Sequence, residues 1–387
     1  MASPTPSFDS DRDRVRDRAD IVRIVGEHIK LIPKGREYVG LCPFHDDHKP
    51  SMSVVPAKQI FHCFSCGSGG DVFTFVQKYH RMDFREALEY LAERVGLELT
   101  RWSPSDQAGD PQQPGTPSRR EVIAANAFAQ AFFAKCLEHP AAGTLARDAI
   151  ASRGISPAMV EAFGLGAAPD NWEGLVNAAT KKGIAVEALI AAGWAKPRSS
   201  GAGHFDMFRN RLIFPIRDQA ARPVAFGARK LDPEDEPKYL NSPESTLFNK
   251  SATLYGLDVA SRTIQKTGRA IVTEGYTDTI ACHQAGFTGA VATLGTAFTT
   301  GHAKLLRRLC DSVVLVFDAD EAGQRAADRA TEVLFAVDLD VKVAVLGLQD
   351  AAGQATAKDP DELLKQPTGP ETFAAILDNA IDLLEFR

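Results

Sequence analysis

Four soft ligands stand in two close pairs, Cys42-x2-His45 and Cys63-x2-Cys66, with 17 residues between them. Thiolate and imidazole groups in that spacing suit a closed tetrahedral zinc site. Four protein ligands leave the ion no open position, so one Zn²⁺ of structural type is expected. Gly67, Gly69 and Gly70 permit a tight turn after the second pair. His48 and His62 are rival ligands, but His48 has the wrong offset for a two-residue knuckle, and His62 falls on the strand face opposite Cys63. A segment this small and strand-poor needs such a staple to fold.

A second chemistry belongs to carboxylates. Glu274 and Asp278 follow the apolar run Ala270–Thr273, and Asp318 and Asp320 follow Ser312–Phe317. Asp359 and Asp361 form a further Asp-x-Asp on a Pro-containing turn. Residues i and i+2 of an extended chain face the same way, and acids at the carboxyl ends of parallel strands converge on one crevice. So many acids stay ionised together only if cations neutralise them, and hard oxygen ligands favour Mg²⁺ or Mn²⁺. Asp359 and Asp361 also fit ordinary turn chemistry, and Glu321 fits the first turn of a helix.

The elements that must position these groups are legible in outline. Asp11–Lys30 has helical periodicity, and strand-like runs follow at Glu37–Leu41, Met52–Val55 and Gln59–Phe64. Helices at Asp71–Tyr79 and Asp83–Val95 start on acidic caps. Ser103–Ser118 has linker composition, and a helix at Glu121–Leu137 follows it. Strands are expected at Leu212–Ile216 and Pro223–Phe226. From Ala270, strands at Ala270–Thr273, Ala290–Thr293, Ser312–Phe317 and Asp340–Val345 alternate with helices, the last of these helices running through Phe335, and Pro370–Phe386 reads as a final helix. The fold class is therefore multidomain α+β and α/β. A zinc ribbon occupies 1–102, a linker 103–118, a basic mixed α+β segment 119–267, a parallel-sheet domain 268–350, and an acidic turn with a helical segment 351–387.

The net charge of −6 hides an asymmetry. Arg198–Lys230 carries seven Lys and Arg against two Asp and Glu, whereas Gly268–Arg387 carries ten against eighteen. A segment that grips phosphate followed by one that holds cations fits this pattern. No apolar run reaches membrane-spanning length and the N-terminus lacks a secretory signal, so a cytoplasmic protein without membrane partners is expected. Cys136, Cys282 and Cys310 sit among apolar neighbours as small core residues.

In these residues the chain resembles the bacterial replicative primases of the DnaG type over essentially its whole length. Cys42-Pro-Phe-His45 with Phe61-His-Cys63-Phe-x-Cys66 is similar to that family's zinc-binding domain. Glu274-Gly-Tyr-x-Asp278 and Asp318-x-Asp320 are similar to its TOPRIM motifs, whose acids hold the catalytic metals. Phe208-Arg-Asn-Arg211 and Lys238-Tyr-Leu-Asn241 resemble its basic core. Gly227-Ala-Arg229 and Gly295-Thr-Ala-Phe298 depart from the usual GGR and GTAL.

The resemblance implies a nucleotidyltransferase that makes RNA primers on a single-stranded DNA template from ribonucleoside triphosphates. Arg209, Arg211, Arg229 and Lys238, joined by Lys230, would hold phosphates, and Tyr239 and Asn241 would contact the nucleotide or pack. The zinc module would help select the start site. Phe61 and Phe64 suit core packing better than base stacking. The replicative helicase and the single-stranded-DNA-binding protein are implied partners in the replisome, although the usual helicase-binding domain is absent from this sequence. Rival readings are another TOPRIM enzyme that cuts or rejoins DNA, and a zinc-dependent DNA-binding recruitment protein.

Overall fold

Asp20 shapes the entry to the first unit. Its carboxylate accepts hydrogen bonds from the backbone N–H of Val22 (2.8 Å) and Arg23 (3.3 Å) and so caps a new helix. The single helix expected over Asp11–Lys30 is therefore two, Phe8–Arg18 and Ile21–Gly26. A short side chain that bonds its own backbone competes with helix continuation, which is the physical reason for the break.

The computed structural model describes residues 8–99, 116–198, 203–317, 337–346 and 357–383. The chain divides into two units, Met1–Gln113 and Pro114–Arg387, each described by itself. Among the described residues no helix is long and apolar enough to cross a membrane.

In the first unit, five short strands pair in chain order, all antiparallel: Ile32–Lys34, Glu37–Gly40, Met52–Val55, Ile60–Cys63 and Gly69–Gly70. Strand alternation buries Phe61 and Cys63 and leaves Ile60 and His62 outside. Phe64 continues the outer row and is 77% exposed, so it does not pack in the core as expected, while Phe61 does. Helices Val72–His80 and Phe84–Arg94 cover the inner face, capped by Asp71 and Asp83 as the sequence suggested. Phe44, Phe61 and Phe75 meet with ring centroids 5.4 to 5.7 Å apart.

The second unit opens with helix Arg119–Glu138, on which Ser118 and Glu121 form a capping box. Ser118 is the last residue of the expected linker, most of which lies outside the described residues. This helix packs on a four-stranded antiparallel sheet ordered Tyr239–Asn241, Pro223–Lys230, Arg211–Arg217 and Gly166–Ala168. The second strand runs on to Lys230, four residues past the sequence reading. Trp194 is fully buried beneath it and donates its indole N–H to Asn126 Oδ1 (2.8 Å).

The other sheet is ordered Ala290–Ala292, Arg269–Thr273, Ser312–Phe317 and Asp340–Val345, all parallel, with Ile381–Asp382 added antiparallel at the edge. That edge strand corrects the final helix expected over Pro370–Phe386, which spans only Gly369–Asp378. Leu383 is fully buried and its N–H bonds to Val341 O (3.2 Å), so core burial and a free sheet edge outcompete the last helical turns. The helix expected through Phe335 falls outside the described residues.

Tyr276 joins the two sheets. Its ring stacks on Phe214 (centroids 5.0 Å apart) and its hydroxyl donates to Asn241 Oδ1 (2.6 Å). A Cβ at Gly227 would stand 2.2 Å from Tyr276 Cζ, so glycine is required there for space. Ala228, which faces away into the helix-covered core, carries no such restriction. This explains why the Gly-Ala-Arg variant of the motif folds. Gly227→Ala should cost about 1–3 kcal/mol, as overpacking does. Urea unfolding of the full chain measures it, and an unchanged midpoint would show that the ring yields.

Candidate functional site

Zinc ligands come from two turns that flank the central strands of the first unit. Cys42, His45, Cys63 and Cys66 place their ligand atoms within 4.8 Å of one another. Cys42 Sγ lies 3.8 Å from Cys66 Sγ, and Cys63 Sγ lies 3.9 Å from His45 Nδ1. A tetrahedron with zinc–sulfur bonds of about 2.3 Å has edges of about 3.8 Å, which these two separations match. The second turn is closed by Gly67 N–H to Cys63 O (3.0 Å), with Gly67 in the left-handed region at φ 72°. His48 has an 85% exposed side chain and points away, and His62 lies on the opposite face from Cys63, as expected of both rivals.

The thiols are tuned by their surroundings. Burial drives the Cys42 thiol up to about 12, and the adjoining thiols add to the rise. At Cys63 burial also raises the value, but hydrogen bonds from Ser51 and from the Cys66 and Ser65 backbone outweigh it and hold the group below its ordinary range. A cation among the four would favour the thiolate form of both.

Sequence reasoning missed Asp47. Its carboxylate accepts from Cys42 N–H (2.7 Å), Ser51 Oγ–H (2.7 Å) and Lys49 N–H (3.3 Å), and it lies 3.7 Å from His45 Nε2. The bond from the Cys42 amide, then that from Ser51, lower its pKa to about 2. The signal was an acid two residues after a ligating histidine, the pattern of a carboxylate that orients a metal-bound imidazole.

In the second unit, three described strands end at one edge of the parallel sheet, at Thr273, Phe317 and Val345. Glu274 follows the first of these and is exposed. Asp278 sits in the first turn of helix Tyr276–Gln284. Asp318 and Asp320 continue from Phe317 and lie outside the described residues. The third acidic pair does reach this edge, because Asp361 N–H approaches Asp278 Oδ1 at 3.4 Å. Asp359 caps the short helix Pro360–Leu363 by accepting from Glu362 N–H (2.7 Å). Asp361 is nearly buried between Arg153 (3.0 Å) and Lys365 (2.8 Å), so protein cations already neutralise it. The structure thus brings Asp278 and Asp361 together and gives Asp359 a capping role.

Beside these acids lies a cavity of about 630 Å³, lined among others by Arg153, Arg229, Lys230, Lys365, Asp359 and Asp361. The cations expected to hold phosphate divide here. Arg229 has a buried Nε without a hydrogen-bond partner among the described residues, and its guanidinium lies 5.7 Å from the Tyr239 ring centroid. Burial lowers its pKa, and Tyr239 opposes the shift. Arg211 instead is buried and donates to Pro237 O (2.8 Å), and Lys230 Nζ donates to Pro233 O and Asp235 O (2.7 Å each) and pairs with Glu236 (2.9 Å). These two fasten the loop that presents Lys238 and Tyr239. Arg209 lies over Trp172, 3.7 Å from the indole centroid. Asn241 is spent on both sides, donating to Leu294 O (3.0 Å) and accepting from Tyr276.

Fold and site define a class of protein in which a zinc ribbon accompanies a core built around an acidic sheet edge and a cationic cavity. Known families match in the same order: the CHC2 zinc finger over residues 8–107, the N-terminal domain of the DNA primase catalytic core over 132–261, and a Toprim-like domain over 271–366. The DNA primase of Halalkalibacterium halodurans is 37% identical over 97% of this chain and 60% of its own length, and that of Streptomyces coelicolor 38% over 98% and 58%. The chain thus spans about three-fifths of the length of these curated relatives. The crystal structure of the Aquifex aeolicus primase, comprising its zinc-binding and RNA polymerase domains, aligns with a TM-score of 0.63 at 32% identity, covering 97% of this chain and 87% of that one. The RNA polymerase domain of the Mycobacterium tuberculosis primase aligns with a TM-score of 0.63 at 37% identity, covering 70% and 86%. A DnaG primase catalytic domain bound to single-stranded DNA aligns at 0.61 and 34%, covering 68% and 83%. The chain belongs to the DnaG-type primase family.

Asp47→Asn should weaken zinc binding about 10- to 100-fold, the usual effect of removing a carboxylate that orients a ligand. Competition with a chromogenic chelator reads this directly, and undiminished affinity would show that Asp47 only shapes the turn.

Proposed function

We propose that the chain synthesises short RNA primers on single-stranded DNA by metal-dependent nucleotidyl transfer. The observation that carries this reading is the meeting of an acidic parallel-sheet edge with a cation-lined cavity, in a chain of the DnaG-type primase family. Glu274, Asp278, Asp318 and Asp320 would hold Mg²⁺ or Mn²⁺. Those ions would supply activation of a 3′-hydroxyl and relief of the charge that builds as pyrophosphate leaves.

Asp361 contributes differently in this proposal. Clamped by Arg153 and Lys365, it keeps the acidic edge and the cavity wall in register, and Asp359 holds the turn that carries it. Arg229, Lys238 and Arg209 would meet phosphates of template and ribonucleoside triphosphates. Arg211 and Lys230 would support them by fixing the loop between. The zinc ribbon would be structural and act in choosing the start site, with the replicative helicase and the single-stranded-DNA-binding protein as partners. The division into 1–102, 119–267, 268–350 and 351–387 is proposed on the same basis.

The test is a supply of single-stranded DNA, ribonucleotides and Mg²⁺ or Mn²⁺ to the purified chain, with short RNA as the product. Glu274→Ala or Asp318→Ala should abolish it while the fold survives; full activity in either would remove the acids from the chemistry. Arg229→Ala should weaken single-stranded DNA binding and lower its salt slope by somewhat under one unit, the mark of one lost phosphate contact. Arg211→Ala should instead lower stability, because the carbonyls of Glu236 and Pro237 lose their donor. Equal salt slopes for wild type and Arg229→Ala would place the template elsewhere.

A further inference from the structure

We propose that Thr273 and Thr279 are positioning residues that set the spacing of Glu274 and Asp278, so that the two carboxylates can meet one divalent cation. The proposal rests on the metal-binding reading above. Glu274 and Asp278 bound one five-residue turn, and the threonines stand directly outside it, one before the first acid and one after the second. Thr273 ends strand Arg269–Thr273, and Thr279 belongs to the start of helix Tyr276–Gln284. Both are buried, at 1% and 0% exposure.

Their hydroxyls meet at 2.9 Å. A hydroxyl has one proton to give and two lone pairs to receive. Thr273 gives its proton to Val291 O (3.2 Å) on the neighbouring parallel strand, so Thr279 is the donor in the bond between the two. Thr279 Oγ1 also lies 3.2 Å from Gly275 O, and the Thr279 N–H donates to that same carbonyl (3.2 Å). One chain of hydrogen bonds thus runs from strand Ala290–Ala292, through the end of strand Arg269–Thr273, to the helix and back to the turn between the acids.

A buried hydroxyl costs free energy unless it is bonded, and valine would fill the same space without that cost. Two threonines bonded to each other and to the turn backbone impose a direction that two valines would not. The rest of the turn is held as well. Tyr276, inside it, is tied to the antiparallel sheet by Phe214 and Asn241. A Cβ at Gly275 would stand 2.5 Å from Asp278 Oδ2, so glycine gives the Asp278 carboxylate its place. That carboxylate is folded back over the residue that follows Glu274, as two acids sharing one hard cation require. The threonine pair fixes the helix start against the strand end, on which this folding depends.

The test uses the full, zinc-loaded chain, with Mn²⁺ alone as the probe and the paramagnetic signal of unbound Mn²⁺ as the readout. Glu274→Ala should lose binding, which marks the site. Thr279→Val removes the hydroxyl and keeps the shape, and should weaken Mn²⁺ affinity about tenfold, as losing a group that orients a ligand does. Thr279→Ser keeps the hydroxyl and loses a methyl. It should bind Mn²⁺ as wild type does, while its urea midpoint falls. Thr273→Val removes the acceptor instead, should repeat the Thr279→Val result, and takes its place if that variant does not fold. Wild-type affinity in a folded valine variant would overturn the proposal and leave the metal-binding reading intact. Equal weakening by valine and serine would also overturn it, because shape rather than the hydroxyl would then set the affinity. A wild-type chain that binds no Mn²⁺, or undiminished binding in Glu274→Ala, would remove the metal-binding reading and the proposal with it.

Discussion

Carboxylates gathered at the end of one sheet repel one another, and the second unit is arranged around that repulsion. Two like charges 4 Å apart oppose each other by about 4 kcal/mol at an effective dielectric of about 20. Asp361 approaches Asp278 through its backbone N–H, and its own carboxylate is taken up by Arg153 and Lys365. Arg153 comes from the helical region before the antiparallel sheet, so this neutralisation also draws that region to the acidic edge. The same cation lines the cavity beside it. Compensating the acid and lining the cavity are therefore served by one side chain.

The first unit meets a different shortage. Its sheet is made of strands two to four residues long, and its aromatic cluster covers only one face. The apolar core lies beneath the helices, while the two ligand turns lie outside regular strands, so a metal site would fix them. That dependence explains why the ligands are so well placed relative to one another. It also explains why Asp47 spends three hydrogen bonds on the turn that carries Cys42 and Ser51. The turn must be in shape before three thiols and an imidazole can share an ion.

Local chemistry made much of this legible in the sequence. Ligand spacing, period-two alternation in Ile60–Cys63, the capping acids Asp71 and Asp83, and the strand-ending acids depend on neighbours within a few residues. What escaped depends on distant partners. Asn241 reads equally as a nucleotide contact or a packing residue, and its bonds to Tyr276 and Leu294, which occupy both ends of its amide, are not visible in the sequence. Asp361 reads as a metal ligand or a turn residue, and its ion pair with Arg153, more than two hundred positions earlier, is not visible in the sequence. The final helix reads as continuous until the free edge beside Val343 captures Ile381. Phe64 reads as core because it is aromatic, yet alternation places it on the outer row.

Charge counting shows the same limit most sharply. Seven cations between Arg198 and Lys230 suggest one basic surface, but each guanidinium or ammonium has a separate history. Arg211 and Lys230 are consumed by backbone carbonyls, Arg217 by Asp258 (2.9 Å), Arg222 by Asp218 (2.6 Å) and Arg198 by Glu173. Among the described residues Arg229 and Arg209 pair with no carboxylate, and both lie against aromatic rings, Arg209 also donating to Asp206 O (2.8 Å). An aromatic face attracts a cation without neutralising it, so its field still reaches an incoming phosphate. The partner that holds a guanidinium thus decides how much of its charge remains, little beside a carboxylate and most of it beside a ring. Composition cannot carry that distinction, and a contact geometry can.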